Sequence, residues 1–123
     1  MMDARLREGI RLFNDGCFFE SHESFEDFYL RADEEHKAFI EGLIQLAVAC
    51  RMMSDFGEVK GAVRLARQAL IRLENYQPKC LQIRVNDLIR SVDEWTDRIK
   101  NAAGGSIAEV REKIPKIRVQ RFL

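Results

Sequence analysis

At 123 residues with 46% hydrophobic side chains, the chain has the size of one domain and enough apolar surface to bury a core. Lys plus Arg total 20 and Asp plus Glu total 20; the formal net charge is zero, and no global basic field draws in nucleic acid or an anionic membrane. Three cysteines, Cys17, Cys50 and Cys80, without a CxxC spacing, argue against a disulfide framework or a structural zinc site and fit a reducing cytosol.

The first predicted helix runs from about Asp3 to Asn14, on the recurrence of Leu6, Ile10 and Phe13. Its start is charged and lacks an apolar signal core. Gly16 is suited to a left-handed C-terminal cap. Helix two is expected from Phe18 to Ala32, and helix three from Glu34 to Asp55, ended by Gly57. The centre of helix three is apolar nearly all round, which predicts a buried middle helix. Its apolar run, Phe39 to Met53, is interrupted by Glu41, Gln45 and Arg51 and is too short to span a bilayer. Helix four spans Glu58 to Asn75 and is closed by Pro78. Gly42, Ala47 and Ala49 in helix three, with Gly61, Ala62 and Ala66 in helix four, would let those two axes approach closely.

Helix five covers Arg84 to Ala102, with Leu88, Val92, Trp95 and Ile99 in register, and Gly104-Gly105 breaks it. A turn of helix follows at Ile107 to Lys113; Pro115 to Val119, with alternating Ile117 and Val119, reads as extended. The expected fold is all-α: one domain, a compact bundle of about five antiparallel helices over residues 1–103, with an extended tail over 104–123. The tail is locally basic (Lys113, Lys116, Arg118, Arg121) and reads as a solvated segment able to touch an anion.

The chemistry concentrates on helix two. Phe18, Phe19 and Phe25 crowd Glu20, His22, Glu23 and Glu26. At about 100° per residue, Phe18, Phe19, Phe25, Tyr29 and Leu30 fall in one arc. His22 and Glu26 share that arc, one turn apart, with Glu23 at its edge and Glu20 on the far side. His22 and Glu26 are therefore expected inside, where a carboxylate must find a partner. Glu26 would hold one ring nitrogen, leaving the other for a ligand, a metal or a proton. In helix three, Glu41 and Gln45 intrude on an apolar run, and Gln45 is expected to meet the His22/Glu26 group.

Metal motifs are incomplete. A zinc-protease pattern needs histidine where Glu26 stands. A ferritin-like pair needs Glu-x-x-His on two helices, and Asp33-x-x-His36 is a single imitation. His36 reads as solvated in a charged helix start.

The segment Phe13-Asn14-x-Gly16-x-Phe18-Phe19-Glu20-x-His22-Glu23-x-Phe25-Glu26 resembles the signature of domain-of-unknown-function family number 309. Phe39 to Ala47, with Gly42 and Gln45, followed by Gly57 and Gly61-Ala62, is similar to that family's second signature. The resemblance covers about residues 5 to 76 and implies a small all-helical domain with no assigned reaction. It carries over Glu20, His22, Glu23, Glu26, Gly42 and Gln45 as signature positions. Members often carry a histidine after the second block, where this chain has Cys50 to Met53.

Two functions compete. The first is a binding or scaffold module with a partly buried polar cluster, whose binding residues are Glu20, His22, Glu23, Glu26 and Gln45. The alternative is a metal-assisted or acid/base hydrolase with His22, Glu26 and Glu23 as catalytic candidates and His22 and Glu26 as metal candidates. No cofactor is expected under the first; a divalent metal belongs to the second. The expected partner is a protein or small molecule, not nucleic acid or membrane. A homodimer is expected where an apolar helix face remains uncovered, and the expected location is cytoplasmic.

Overall fold

In a computed structural model that describes residues 1–101 and 114–120, the elements run α1 (Ala4–Asn14), α2 (Phe18–Tyr29), α3 (Glu34–Phe56), α4 (Val59–Leu73), a 3-10 turn at Glu74–Tyr76, β1 (Lys79–Cys80), β2 (Ile83–Arg84) and α5 (Val85–Asn101). Asp3 caps α1 by accepting the Arg5 backbone N–H at 2.8 Å. The helix ends in a paired turn: Cys17 N–H donates to Leu12 O at 2.8 Å and Gly16 N–H to Phe13 O at 3.0 Å. Gly16 sits at φ 84°, a conformation that costs a side chain but not glycine.

Helices α1 and α2 meet through bare backbone. A Cβ on Gly9 would lie 2.5 Å from two ring carbons of Phe25, which is fully buried. Hydroxyls tie the same seam: Ser21 Oγ donates to Gly9 O and Ser24 Oγ to Arg5 O, each at 2.8 Å. Helix α2 stops at Tyr29 rather than Ala32. Arg31 and Ala32 instead donate to the carbonyls three residues back, tightening the chain into the turn before α3.

Helix α3 is the central helix, packed against both α2 and α4, with Phe39, Ile40, Leu43, Leu46, Cys50 and Met53 buried. Small residues set its distance from α4: Ala47 and Ala49 on one side, Ala62, Ala66 and Ala69 on the other, all fully buried. A Cβ on Gly42 would lie 3.1 Å from Leu73 Cδ2. Helix α5 closes the core over α4 with Leu88, Val92, Trp95 and Ile99, the register expected from sequence. The Trp95 indole N–H is buried and has no partner among the described residues.

The all-helical reading missed one hairpin. β1 and β2 pair antiparallel, with Lys79 opposite Arg84 and Cys80 opposite Ile83. The two turn residues, Leu81 and Gln82, have φ of 49° and 69°; such a turn ordinarily advertises itself with Asn-Gly, which is absent here. The Gln77–Pro78 peptide before it is cis.

The tail is extended where alternation predicted it. Ile83 bridges Val119, Arg84 N–H donates to Arg118 O at 2.9 Å, and Gln120 N–H donates to Gln82 O at 2.8 Å. Asn14 holds the strand from the other side: its amide donates to Ile117 O at 2.9 Å and accepts Ile117 N–H at 2.8 Å. The expected helical turn at Ile107 to Lys113, and the start of the tail at residue 104, lie outside the described residues. Among the described residues no helix is long and apolar enough to cross a membrane.

Candidate functional site

Helix α2 buries Phe18, Ser21, Phe25 and Phe28. Of the arc expected inside, Phe18 and Phe25 are buried, but Phe19, His22, Glu26 and Tyr29 form the next stripe round, about 100° away, and Leu30 is exposed. His22 and Glu26 do pair, through Nε2 and Oε1, but at the surface: their side chains are 25% and 53% exposed. The expected burial of Glu26 is therefore corrected. Glu20 and Glu23 are both exposed. The reason is Ser21. A small hydroxyl with its bond satisfied on Gly9 O fits the centre of a tight helix seam, where a carboxylate would stay unpaired.

The second ring nitrogen of His22 is not free. Nδ1 lies 3.3 Å from Phe19 O, so both ring nitrogens face oxygen atoms of the same helix. The ring tilts against Phe19 at 5.8 Å between centroids. Arg51 of α3 lies over Phe19 at 4.6 Å and over Phe56 at 5.4 Å, and bonds Asp55 at 3.4 Å. Phe19 and Phe56, 40% and 66% exposed, thus form an aromatic surface with a cation on it.

Gln45 does not meet His22. Its partners come from α4: Arg72 donates to Gln45 Oε1 at 3.3 Å, and Gln45 Nε2 donates to Gln68 Oε1 at 3.4 Å. Arg72 also bonds Glu41 Oε2 at 3.2 Å, while Tyr29 Oη donates to Glu41 Oε1 at 2.9 Å. Glu41 thereby ties α2, α3 and α4 together. The Glu41 carboxylate holds the Tyr29 phenol above its ordinary pKa, through that hydrogen bond first and then through desolvation. Lys37 lies 5.1 Å over the same ring. The sequence places Tyr29 only in the apolar arc of helix two and does not single out Arg72. The available signal was that Glu41, at one end of an apolar run, needs a cation from a neighbouring helix.

Between these two groups a cleft of about 620 Å³ opens, lined by Glu26, Asp27, Tyr29, Leu30, Glu41 and Ile44. It joins the ends of both polar groups. Leu30 stands at its rim with 77% of its surface exposed. The cleft is acidic and apolar at once.

The residues fit a metal poorly at His22 and Glu26. They supply two donors, where a catalytic zinc takes three protein ligands. The three-donor group found among the described residues is elsewhere: Asp33, Glu35 and His36, whose ligand atoms lie within 4.8 Å of one another. It stands at the start of α3, where the positive end of the helix dipole opposes a cation.

Residues 6–65 match the family described as Domain of unknown function (DUF309), the family that the sequence resembles. That segment spans α1, α2, α3 and the first half of α4, and includes the cleft. A search of curated proteins finds no match.

Proposed function

We propose that this DUF309 domain is a binding module, and that its α2/α3 cleft receives a basic, amphipathic helical segment of a partner. One observation carries the reading: Glu20, His22, Glu23 and Glu26, the polar signature side chains of α2, all lie off the buried stripe, where the fold makes little demand on them. The cleft beside them offers the two things such a partner needs. Leu30 and Ile44 give apolar contact, and Glu26 and Asp27 give negative charge. A helix laid in a groove uses both, with apolar anchors inward and lysines at the rim.

The test is titration of the isotope-labelled protein with a synthetic helical peptide of Leu and Lys at four-residue spacing. Saturable shifts confined to Glu26, Asp27, Leu30, Glu41 and Ile44 are expected. Asp27→Lys is expected to weaken binding about tenfold, the worth of one charge-assisted hydrogen bond, with an unchanged melting curve. Shifts spread over every acidic surface, or an indifferent Asp27→Lys, would overturn the reading. Stoichiometric metal in the purified protein that disappears with His22→Ala would favour the hydrolase instead.

A further inference from the structure

The hairpin and the tail put like charges side by side. β2 lies between its partner β1 and the extended tail, which it meets through a single bridge between Ile83 and Val119 flanked by two backbone hydrogen bonds. Their inward face carries Cys80, Ile83 and Val119, and Ile83 is fully buried. Their outward face carries Lys79, Arg84 and Arg118, one from each segment and each directly opposite the next. Lys116 and Gln120 extend that face along the tail. Directly opposed side chains stand about 5 Å apart at Cβ, and like charges so placed destabilise a sheet. A chain with as many acidic as basic residues had the means to avoid three cations in a row.

Counter-charge is scarce there. Among the described residues Asp87 is the one carboxylate bonded to the row, 3.0 Å from Arg84 Nε, and it is shared with Arg90 at 3.9 Å. Two cavities flank Arg84. One, of about 450 Å³, is lined by Pro78, Lys79, Arg84, Asn86, Asp87 and Gln120. The other, of about 690 Å³, adds Asn14, Lys116 and Arg118. Asn86 and Asp87 belong to the first turn of α5, whose dipole favours an anion.

From this geometry we infer that the row Lys79–Arg84–Arg118, with Lys116, binds a small ligand carrying a chain of two or more phosphate groups, laid across β2 with Arg84 between the two cavities. Arginine matches phosphate oxygens with two parallel donors, and lysine acts as a point charge beside it. One phosphate reaches one or two members of the row; a chain of them neutralises all. Among the described residues no aromatic side chain lines either cavity, and none of them offers a base a face to stack on. The recognised chemistry is the phosphate chain, and a nucleoside attached to it adds little. This site is independent of the α2/α3 cleft.

The experiment is calorimetric titration of the whole protein with inorganic tripolyphosphate, ATP, orthophosphate and a single-stranded oligonucleotide at physiological salt. Tripolyphosphate and ATP are expected to bind with one-to-one stoichiometry, within about threefold of each other, and orthophosphate at least tenfold more weakly, since a single charge-assisted bond to phosphate is worth about a factor of ten. Arg118→Ala and Lys79→Ala, both at exposed positions, should each weaken tripolyphosphate about tenfold. Arg64→Ala, an exposed cation on α4, should leave it unchanged. A melting curve for Arg118→Ala equal to the parent's excludes loss of the tail as the cause; if the curve falls, Lys79→Ala decides alone. No saturable tripolyphosphate binding, or equal weakening with Arg64→Ala, overturns the inference. Preference for the oligonucleotide also overturns it, in favour of a nucleic-acid surface.

Discussion

Two stripes of α2 lie one residue apart and do opposite work. Phe18, Ser21, Phe25 and Phe28 face inward; Phe19, His22, Glu26 and Tyr29 face outward or sit at the edge. The inner stripe is held by contacts to another helix: the Phe25 ring against Gly9 and the Ser21 hydroxyl on a carbonyl of α1. In the outer stripe the His22–Glu26 pair is made within one helix, while the ends of the stripe, Phe19 and Tyr29, reach Arg51 and Glu41 of α3. A bond within one helix does little to fix a tertiary fold, so His22 and Glu26, at the middle of the outer stripe, are free to serve something else.

The largest test of that contrast is Phe25→Ala. Removing a fully buried aromatic ring costs about 3–5 kcal/mol and should lower the melting temperature by roughly 10–20 °C. A destabilisation below about 1 kcal/mol would mean that the inner stripe is not what holds α2. Gly9→Ala is expected next. Alanine gains about 1 kcal/mol of helix propensity, but overpacking against Phe25 costs about 1–3 kcal/mol, so urea denaturation should register a net destabilisation near ~1 kcal/mol. A stabilised variant would show that the seam has room to relax. At the small end, His22→Ala and Glu26→Gln should each change stability by no more than about 0.5 kcal/mol, the worth of an exposed pair along a helix. A destabilisation beyond about 2 kcal/mol in thermal melts would make the outer stripe structural and remove the ground for the proposed binding face.

The contrast also explains how much could be read in advance. The start of α1 and the ends of α1 and α3 were legible because Asp3, Gly16 and Gly57 are local signals whose effect is felt within a few residues, whereas the end of α2 at Tyr29 carries no such signal. The buried middle of α3 was legible because Phe39, Ile40, Leu43 and Leu46 leave no polar face. The orientation of α2 was not. Phe19 and Tyr29 pull a hydrophobic wheel toward the outer stripe, and Ser21 adds no weight to the inner one. What turns Ser21 inward is the carbonyl of Gly9 on another helix, and pattern along one segment carries no record of that. The same holds for Gln45, whose partners Arg72 and Gln68 lie on α4 and not on α2. The hairpin escaped because strands of two residues have no period, and Leu81-Gln82 carries no turn signature.

Asn14 clasping Ile117 joins positions 103 apart in the chain. Every helix otherwise packs on its neighbour in sequence, so α1 to α5 form from short loops, while the clasp requires a closure of nearly the whole chain. The cation row exists only once that closure is made, because Arg118 arrives with it. By linkage, whatever binds across the row also fastens the last described segment to the first helix, and stabilises the closed chain by the free energy of its own binding.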